Sequence, residues 1–230
     1  RRSPMSLYRL KPRFQALLRP FARLLYRFGA TANQVTLTAC AGSLLVGGGL
    51  ALSASSGQTG WFLLLPGWFF LRMALNAIDG MLAREFGQRS RLGAYLNELC
   101  DQVSDAALYL PFAFLSQAGG ALPVLVVILI VLANLAEMAG VLAIGASGER
   151  RNDGPLGKSD RAFVFSVLGL LLACGVRPGE WLAWALAVIA VLLVLTIVNR
   201  VQRGLAESSG SVGADSPAEQ TSSPIRQGET

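Results

Sequence analysis

Between Arg27 and Arg72 there is not one charged residue. A second uncharged run extends from Asp105 to Glu137. The first run reads as two spanning helices, each near the ~20 residues that a hydrocarbon core requires, and the second joins the end of one span to most of the next. Each run is also broken near its middle by a polar, glycine-containing turn, Ser53 to Gly60 in the first and Ser116 to Gly120 in the second. A soluble fold has no use for such stretches, because charge is what covers its surface. Charged residues are only 15% of the chain, against about 25% in soluble domains. The chain therefore reads as an all-α integral membrane protein. Six spans are expected, at about 34–52, 61–84, 93–115, 121–144, 160–176 and 181–199.

The remaining charges follow a topological pattern. The first 27 residues hold eight basic residues and no acid. Arg84, Arg89 and Arg91 follow the second span, Arg150, Arg151, Lys158 and Arg161 the fourth, and Arg200 and Arg203 the sixth, whereas the opposite loops carry only Arg177 and Glu180. Lys and Arg in short loops stay in the cytoplasm, so both termini are expected there. The net charge of +6 is then explained by topology and anionic lipid, with no nucleic-acid partner.

Leu10, Phe14, Leu17, Phe21, Leu24 and Phe28 recur at spacings of three and four, with Arg13, Arg19, Arg23 and Arg27 between them. That pattern predicts an amphipathic helix lying in the membrane interface. A signal peptide is disfavoured, since no small-residue cleavage site follows a short apolar core. Three units result: a basic interfacial segment at 1–30, a six-span domain at 31–203, and a disordered cytoplasmic tail at 204–230, rich in Ser, Gly, Glu and Pro.

The absence of histidine removes imidazole bases and most zinc sites. The three cysteines, Cys40, Cys100 and Cys174, are far apart and read as packing residues. Chemistry must then rest on carboxylates, amides, basic groups or metal. Polar groups within spans mark function, and here they gather at one hairpin. Asn76, Asp79 and Ala83 share one helix face; Asn97, Asp101 and Asp105 share another. Folding the chain about Gln88 places Asp79 nine residues before the centre and Asn97 nine after, with Asn76 twelve before and Asp101 thirteen after. Two antiparallel helices would bring these four oxygen-bearing side chains to one depth. Such ligands suit magnesium or manganese, which in turn bind phosphates. Gly80, Ala83 and Gly93 either leave room for a nucleotide or permit close helix packing, and Arg84 can meet a phosphate or the site's own acids.

The same residues resemble the signature of the CDP-alcohol phosphotransferases, Asp-x2-Asp-Gly-x2-Ala-Arg-x8-Gly-x3-Asp-x3-Asp. Asn76, Asp79, Gly80, Ala83, Arg84, Gly93, Asn97 and Asp101 reproduce every spacing and six of the eight identities. Thr31-Ala32-Asn33-Gln34-Val35-Thr36 is similar to the family's Thr-Pro-Asn-x-x-Thr segment at its first span. The resemblance covers residues 10–201 in architecture and 31–105 in motif. It implies a bacterial inner-membrane enzyme with a cytoplasmic active site, a homodimer that moves a phosphatidyl group from a CDP-alcohol, with CDP-diacylglycerol the expected donor, to a hydroxyl acceptor not legible from the sequence. In the family the four acids hold two divalent ions and the last is the general base. Carried over, Asn76, Asp79, Asn97 and Asp101 hold magnesium or manganese, Asp101 takes the acceptor's proton, and Asn33, Thr36, Gly80, Ala83, Arg84 and Gly93 face substrate. Asn76 and Asn97 replace two aspartates, which lowers the cage from −4 to −2 and marks a divergent subgroup with one or two ions. Asp105 or Glu98 can restore charge.

Lys158 and Arg161 either face phosphates of donor or acceptor or belong to a positive-inside loop. Arg72 and Glu137 pair with each other or with the site, with no spacing to decide. A transporter using Asp79, Asp101, Asp105 and Glu137 and a silent relative that binds nucleotide or lipid are the competing readings.

Overall fold

The protein was analysed as a computed structural model, which describes residues 10–115, 120–148 and 150–212. Residues 1–9, the Ser116–Gly119 part of the expected turn, and 213–230 of the expected tail lie outside the described residues. Every element described is helical, with no strand among the described residues. Helix α1 spans Leu10–Arg27, α2 Ala32–Ser55, α3 Leu64–Glu85, α4 Arg91–Tyr109, α5 Leu122–Ser147, α6 Lys158–Ala173 and α7 Glu180–Val212. Short 3-10 turns at Thr59–Leu63 and Leu110–Phe114 lead into α3 and continue α4.

Caps set several of these boundaries. Thr31 closes a capping box on α2, its hydroxyl accepting from the Gln34 amide while the Gln34 side chain accepts from the Thr31 amide. Ser90 caps α4 by accepting from the Gly93 amide. Between α3 and α4 the chain turns at Gly87, whose φ is 73°, a conformation that costs glycine little. The side chain of the next residue, Gln88, then clamps the start of α2. Its oxygen accepts from the Ala32 amide at 2.7 Å and its amide donates to the Ala30 carbonyl at 3.3 Å.

Four helical stretches are long and apolar enough to cross a membrane: Ala32–Ser55, Thr59–Glu85, Leu122–Gly145 and Glu180–Ala206. The expected third and fifth spans form as α4 and α6 but are of a different kind. Helix α4 carries Glu98, Asp101 and Asp105 within 19 residues. Helix α6 has 16 residues, about 24 Å at 1.5 Å per residue, short of a ~30 Å core. At the carboxyl end, α7 continues past Arg203 to Val212, so the first residues expected in the tail are helical.

Helix α5 packs along α7, α2 lies against α3 and α4, α6 rests on α3, and α1 lies on α3. The core is closed by aromatic rings. Tyr109 stacks on Phe165 with centroids 3.9 Å apart, and Phe112 meets both Phe165 and Phe62 edge to face. Helices α2 and α4 approach closely at Gly47, where an added Cβ would collide with the Ala107 carbonyl oxygen. Large apolar side chains such as Leu45, Phe163 and Trp184 face outward, while Arg72, Asp79, Asp105, Glu137, Arg161 and Arg200 are buried. This inversion of the soluble pattern suits a lipid solvent.

Candidate active site

The α3–α4 hairpin sets Asn76 against Asp101, the pair that the count about Gln88 places nearly level. Asn76 donates through Nδ2 to Asp101 Oδ1 at 2.9 Å. Thr36, on α2, donates to Asp79 Oδ2 at 2.7 Å, so the α2 segment of the resemblance borders the same site. Asn33 reaches it too: its Oδ1 lies 2.7 Å from where a Cβ on Gly93 would stand. Only glycine at 93 leaves Asn33 in place. Arg84 is exposed and folds back over Gly80. Ala83 packs into the small cluster formed by α1, α2 and α3. Asn97 is half-buried on the α4 face that holds Asp101.

Asp101 is held by three donors. Arg72 Nη2 bonds its main-chain carbonyl at 2.9 Å and its Oδ1 at 3.2 Å, Asn76 shares Oδ1, and the Lys158 ammonium pairs with Oδ2. Lys158 is the first residue of α6, where the helix dipole disfavours a cation. Its placement therefore serves Asp101 and not α6. The loop that delivers it is pinned to α5 and α7. The Arg151 amide donates to the Gly140 carbonyl, Arg200 Nε to the Asp153 carbonyl, and the Leu156 amide to Thr196 Oγ1. Gly154, at φ 128°, lies flat against Thr196.

Asp105, expected as a further ligand, has both oxygens engaged instead: Oδ1 with Arg72 and Oδ2 with Arg161 at 3.0 Å. Two guanidinium groups neutralise it, so it restores no charge to the cage. Arg161, expected either to face phosphate or to belong to a positive-inside loop, is 1% exposed and bridges Asp105 to Glu137. Glu137 also pairs with Arg150 at 3.0 Å and lies 3.5 Å from Arg200. Arg150 continues to Glu98. The result is a buried chain of alternating charge across α3, α4, α5, α6 and α7. An isolated charge here would cost several kcal/mol in desolvation. The pairing removes most of that cost and fixes how the helices meet behind Asp101.

Of the two alternatives left for Arg72, Glu137 or the site, the structure shows the site, at Asp101 and Asp105, and a spacing signal for the second contact existed. Arg72 lies sixteen residues before Gln88 and Asp105 seventeen after, the same one-residue offset that pairs Asn76 with Asp101. For Arg150 with Glu98, or Arg161 with Glu137, no local spacing carries the information.

The donor chemistry decides what metal the residues fit. Asp79, Asp101 and the amide oxygens of Asn76 and Asn97 provide oxygen ligands with a charge of −2, which matches one divalent ion. Among the described residues no group of three or more acid or thiol side chains is placed to hold a metal, and both oxygens of Asp101 already meet cationic or amide donors.

The family model of the CDP-alcohol phosphatidyltransferases matches residues 30–198. The chain belongs to that family. It is 47% identical over 207 residues to the inner membrane protein YnbA of Escherichia coli K12, covering 89% of this chain and 99% of that one. It is 30% identical over 188 residues to a phosphatidylinositol phosphate synthase of Mycolicibacterium smegmatis, covering 80% and 82%. The fold is shared with the Mycobacterium tuberculosis phosphatidylinositol phosphate synthase PgsA1. Its crystal structure with CDP-DAG bound has a TM-score of 0.65 at 22% identity, over 91% of this chain and 100% of that one. Its complex with manganese and citrate also has a TM-score of 0.65, at 23% identity, over 80% and 87%. Membership makes this chain a membrane-embedded phosphatidyltransferase of the phospholipid-synthesis class.

Proposed function

We propose that the enzyme transfers a phosphatidyl group from CDP-diacylglycerol to a hydroxyl acceptor and releases CMP. The observation that carries this reading is the Asn76–Asp101 contact, which joins the two halves of the family signature into one site with Asp79 held beside it. Asp101 is the base. Its Oδ1 is committed to Arg72 and Asn76, while Oδ2 meets only the lysine ammonium and keeps a lone pair for a proton. The acceptor oxygen forms a bond to the phosphorus bearing diacylglycerol. The bond from that phosphorus to the CMP oxygen breaks, its electron pair leaves with CMP, and the acceptor proton passes to Asp101 Oδ2. Thr36 holds Asp79, Asn33 and Gly93 shape the approach from α2, and Arg84, exposed near the membrane surface, meets phosphate. Asp79 and Asp101, with the amide oxygens of Asn76 and Asn97, would hold magnesium or manganese, which would supply neutralising charge for the pyrophosphate.

The setting is part of the proposal. The enzyme resides in a bacterial inner membrane, with α2, α3, α4, α5, α6 and α7 as six spans. The basic loops put the active site and both ends of the chain on the cytoplasmic side. Helix α1 lies in the interface, which its exposed Leu17, Phe21 and Leu24, with Phe28 just beyond its end, support. Two copies form a homodimer. The tail beyond α7 is a separate cytoplasmic segment.

The test is CMP release by purified protein from CDP-diacylglycerol with magnesium or manganese and a panel of alcohols. Wild type is expected to release CMP only with metal, and Asp101→Asn to lose it. Equal release by both proteins would remove Asp101 as the base. No release with any acceptor would favour the silent relative.

A further inference from the structure

Resting on the phosphatidyltransferase reading, we propose that the site works with a single divalent ion and that the Lys158 ammonium supplies the second positive charge. Three independent features converge on this. First, the cage holds −2 because Asn76 and Asn97 carry amides. One divalent ion balances that charge, and a second would leave these four residues at +2, with Lys158 adding further positive charge beside them. Second, Asn76 presents its amide nitrogen to Asp101 Oδ1. A hydrogen-bond donor there takes up one of the two oxygens that Asp101 offers to ions. Third, Lys158 is set against Asp101 Oδ2 from a helix position that gains nothing from a cation, on a loop fastened to α5 and α7 by main-chain and side-chain bonds.

The arrangement is also suited to phosphate. An ammonium has three donors, so Lys158 can keep Asp101 Oδ2 and reach a pyrophosphate oxygen together. It remains one-third exposed, in contrast to the sealed Arg161. Arg72 does not serve the same end: both of its Nη atoms are engaged by Asp105 and Asp101 and it is 4% exposed. Lys158 is therefore the cation on Asp101 that faces outward.

The experiment is manganese binding to the purified full chain in nanodiscs, followed by calorimetry and by the electron paramagnetic resonance signal of free ion, with CMP release measured in parallel. Wild type is expected to bind one manganese per chain. Asn76→Asp with Asn97→Asp is expected to admit a second, and adding Lys158→Gln to that pair should tighten the second ion at least tenfold while leaving the first unchanged. In the wild-type background, Lys158→Gln should keep one ion but lose CMP release a hundredfold or more, with part of it restored by Lys158→Arg. Two ions in an active wild type would overturn the inference and leave the phosphatidyltransferase reading intact. A second ion indifferent to Lys158 would also overturn it. No manganese and no CMP release in wild type would overturn both. The wild-type stoichiometry needs no variant to fold, so the inference is exposed to refutation even if a substitution destabilises the chain.

Discussion

Replacing Arg72 by Met removes the guanidinium that ties α3 to α4 at the centre of the buried charge chain. Three bonds go with it: one to Asp105 Oδ1, one to the Asp101 carbonyl and one to Asp101 Oδ1. Asp101 keeps Asn76 and Lys158, but Asp105 keeps only Arg161. Hydrogen bonds to charged groups contribute about 1.5–3 kcal/mol each. Two things reduce the sum: Arg72 Nε has no partner in the wild type, and Asp105 can take up a proton. The net loss is about 3–5 kcal/mol, the usual cost of stripping one member from a buried pair. For a chain of this size each kcal/mol shifts the midpoint by roughly 2–4 °C, so thermal unfolding in nanodiscs should fall by about 6–20 °C. Asp105→Asn alone should also destabilise, by leaving Arg72 and Arg161 short of charge. The double variant Arg72→Met with Asp105→Asn restores the balance, with Arg161 retained by Glu137. It should lose less than the sum of the singles by about 2–3 kcal/mol. Additivity within about 0.5 kcal/mol, the range for independent sites, would refute the idea that these two charges hold each other in the interior.

Gly47→Ala sets a methyl group 2.1 Å from the Ala107 carbonyl oxygen, a backbone atom that cannot step aside; overpacking of this kind costs about 1–3 kcal/mol and should appear as a lower unfolding midpoint. Gly93→Ala pushes on the Asn33 amide at 2.7 Å and on Ser90 Oγ, the α4 cap, at 2.9 Å; it should impair CMP release and lower the unfolding midpoint through a cap worth about 0.5–2 kcal/mol. Arg19→Ala removes a two-bond pair with Glu85 whose partners are both largely exposed; solvent and salt screen it, so the midpoint should not move measurably. Gly154→Ala forces a φ of 128° on a residue with a Cβ that meets Thr196; the loop bearing Lys158 should loosen, read as faster hydrogen exchange at Leu156 and slower CMP release.

Much of this architecture is written locally. The uncharged runs place the apolar helices to within a few residues, since hydrocarbon thickness sets both length and composition. Thr31 and Ser90 mark two helix starts, and Gln88 marks the turn about which Asn76 meets Asp101. The antiparallel hairpin makes sequence separation a measure of depth, so side chains equidistant from the turn are neighbours. That rule also covers Arg72 and Asp105, where it went unused.

The rest is non-local. Glu137, Arg150, Arg161, Lys158 and Arg200 come from α5, α6, α7 and the loop between α5 and α6, and nothing in their spacing records which of them meet. The chemical type of each could be read; its partner could not. Sequence alone showed Lys158 and Arg161 as equivalent basic residues at the start of one helix. Packing separated them, burying one between two acids and leaving the other on the open edge of Asp101. The sequence by itself therefore determined a helical membrane protein with carboxylates and amides gathered at one hairpin, because solvent and ligand chemistry act on residue type. Only the tertiary structure decided which charges meet there, because charge balance in a low-dielectric interior depends on which groups are brought within a few ångströms of each other.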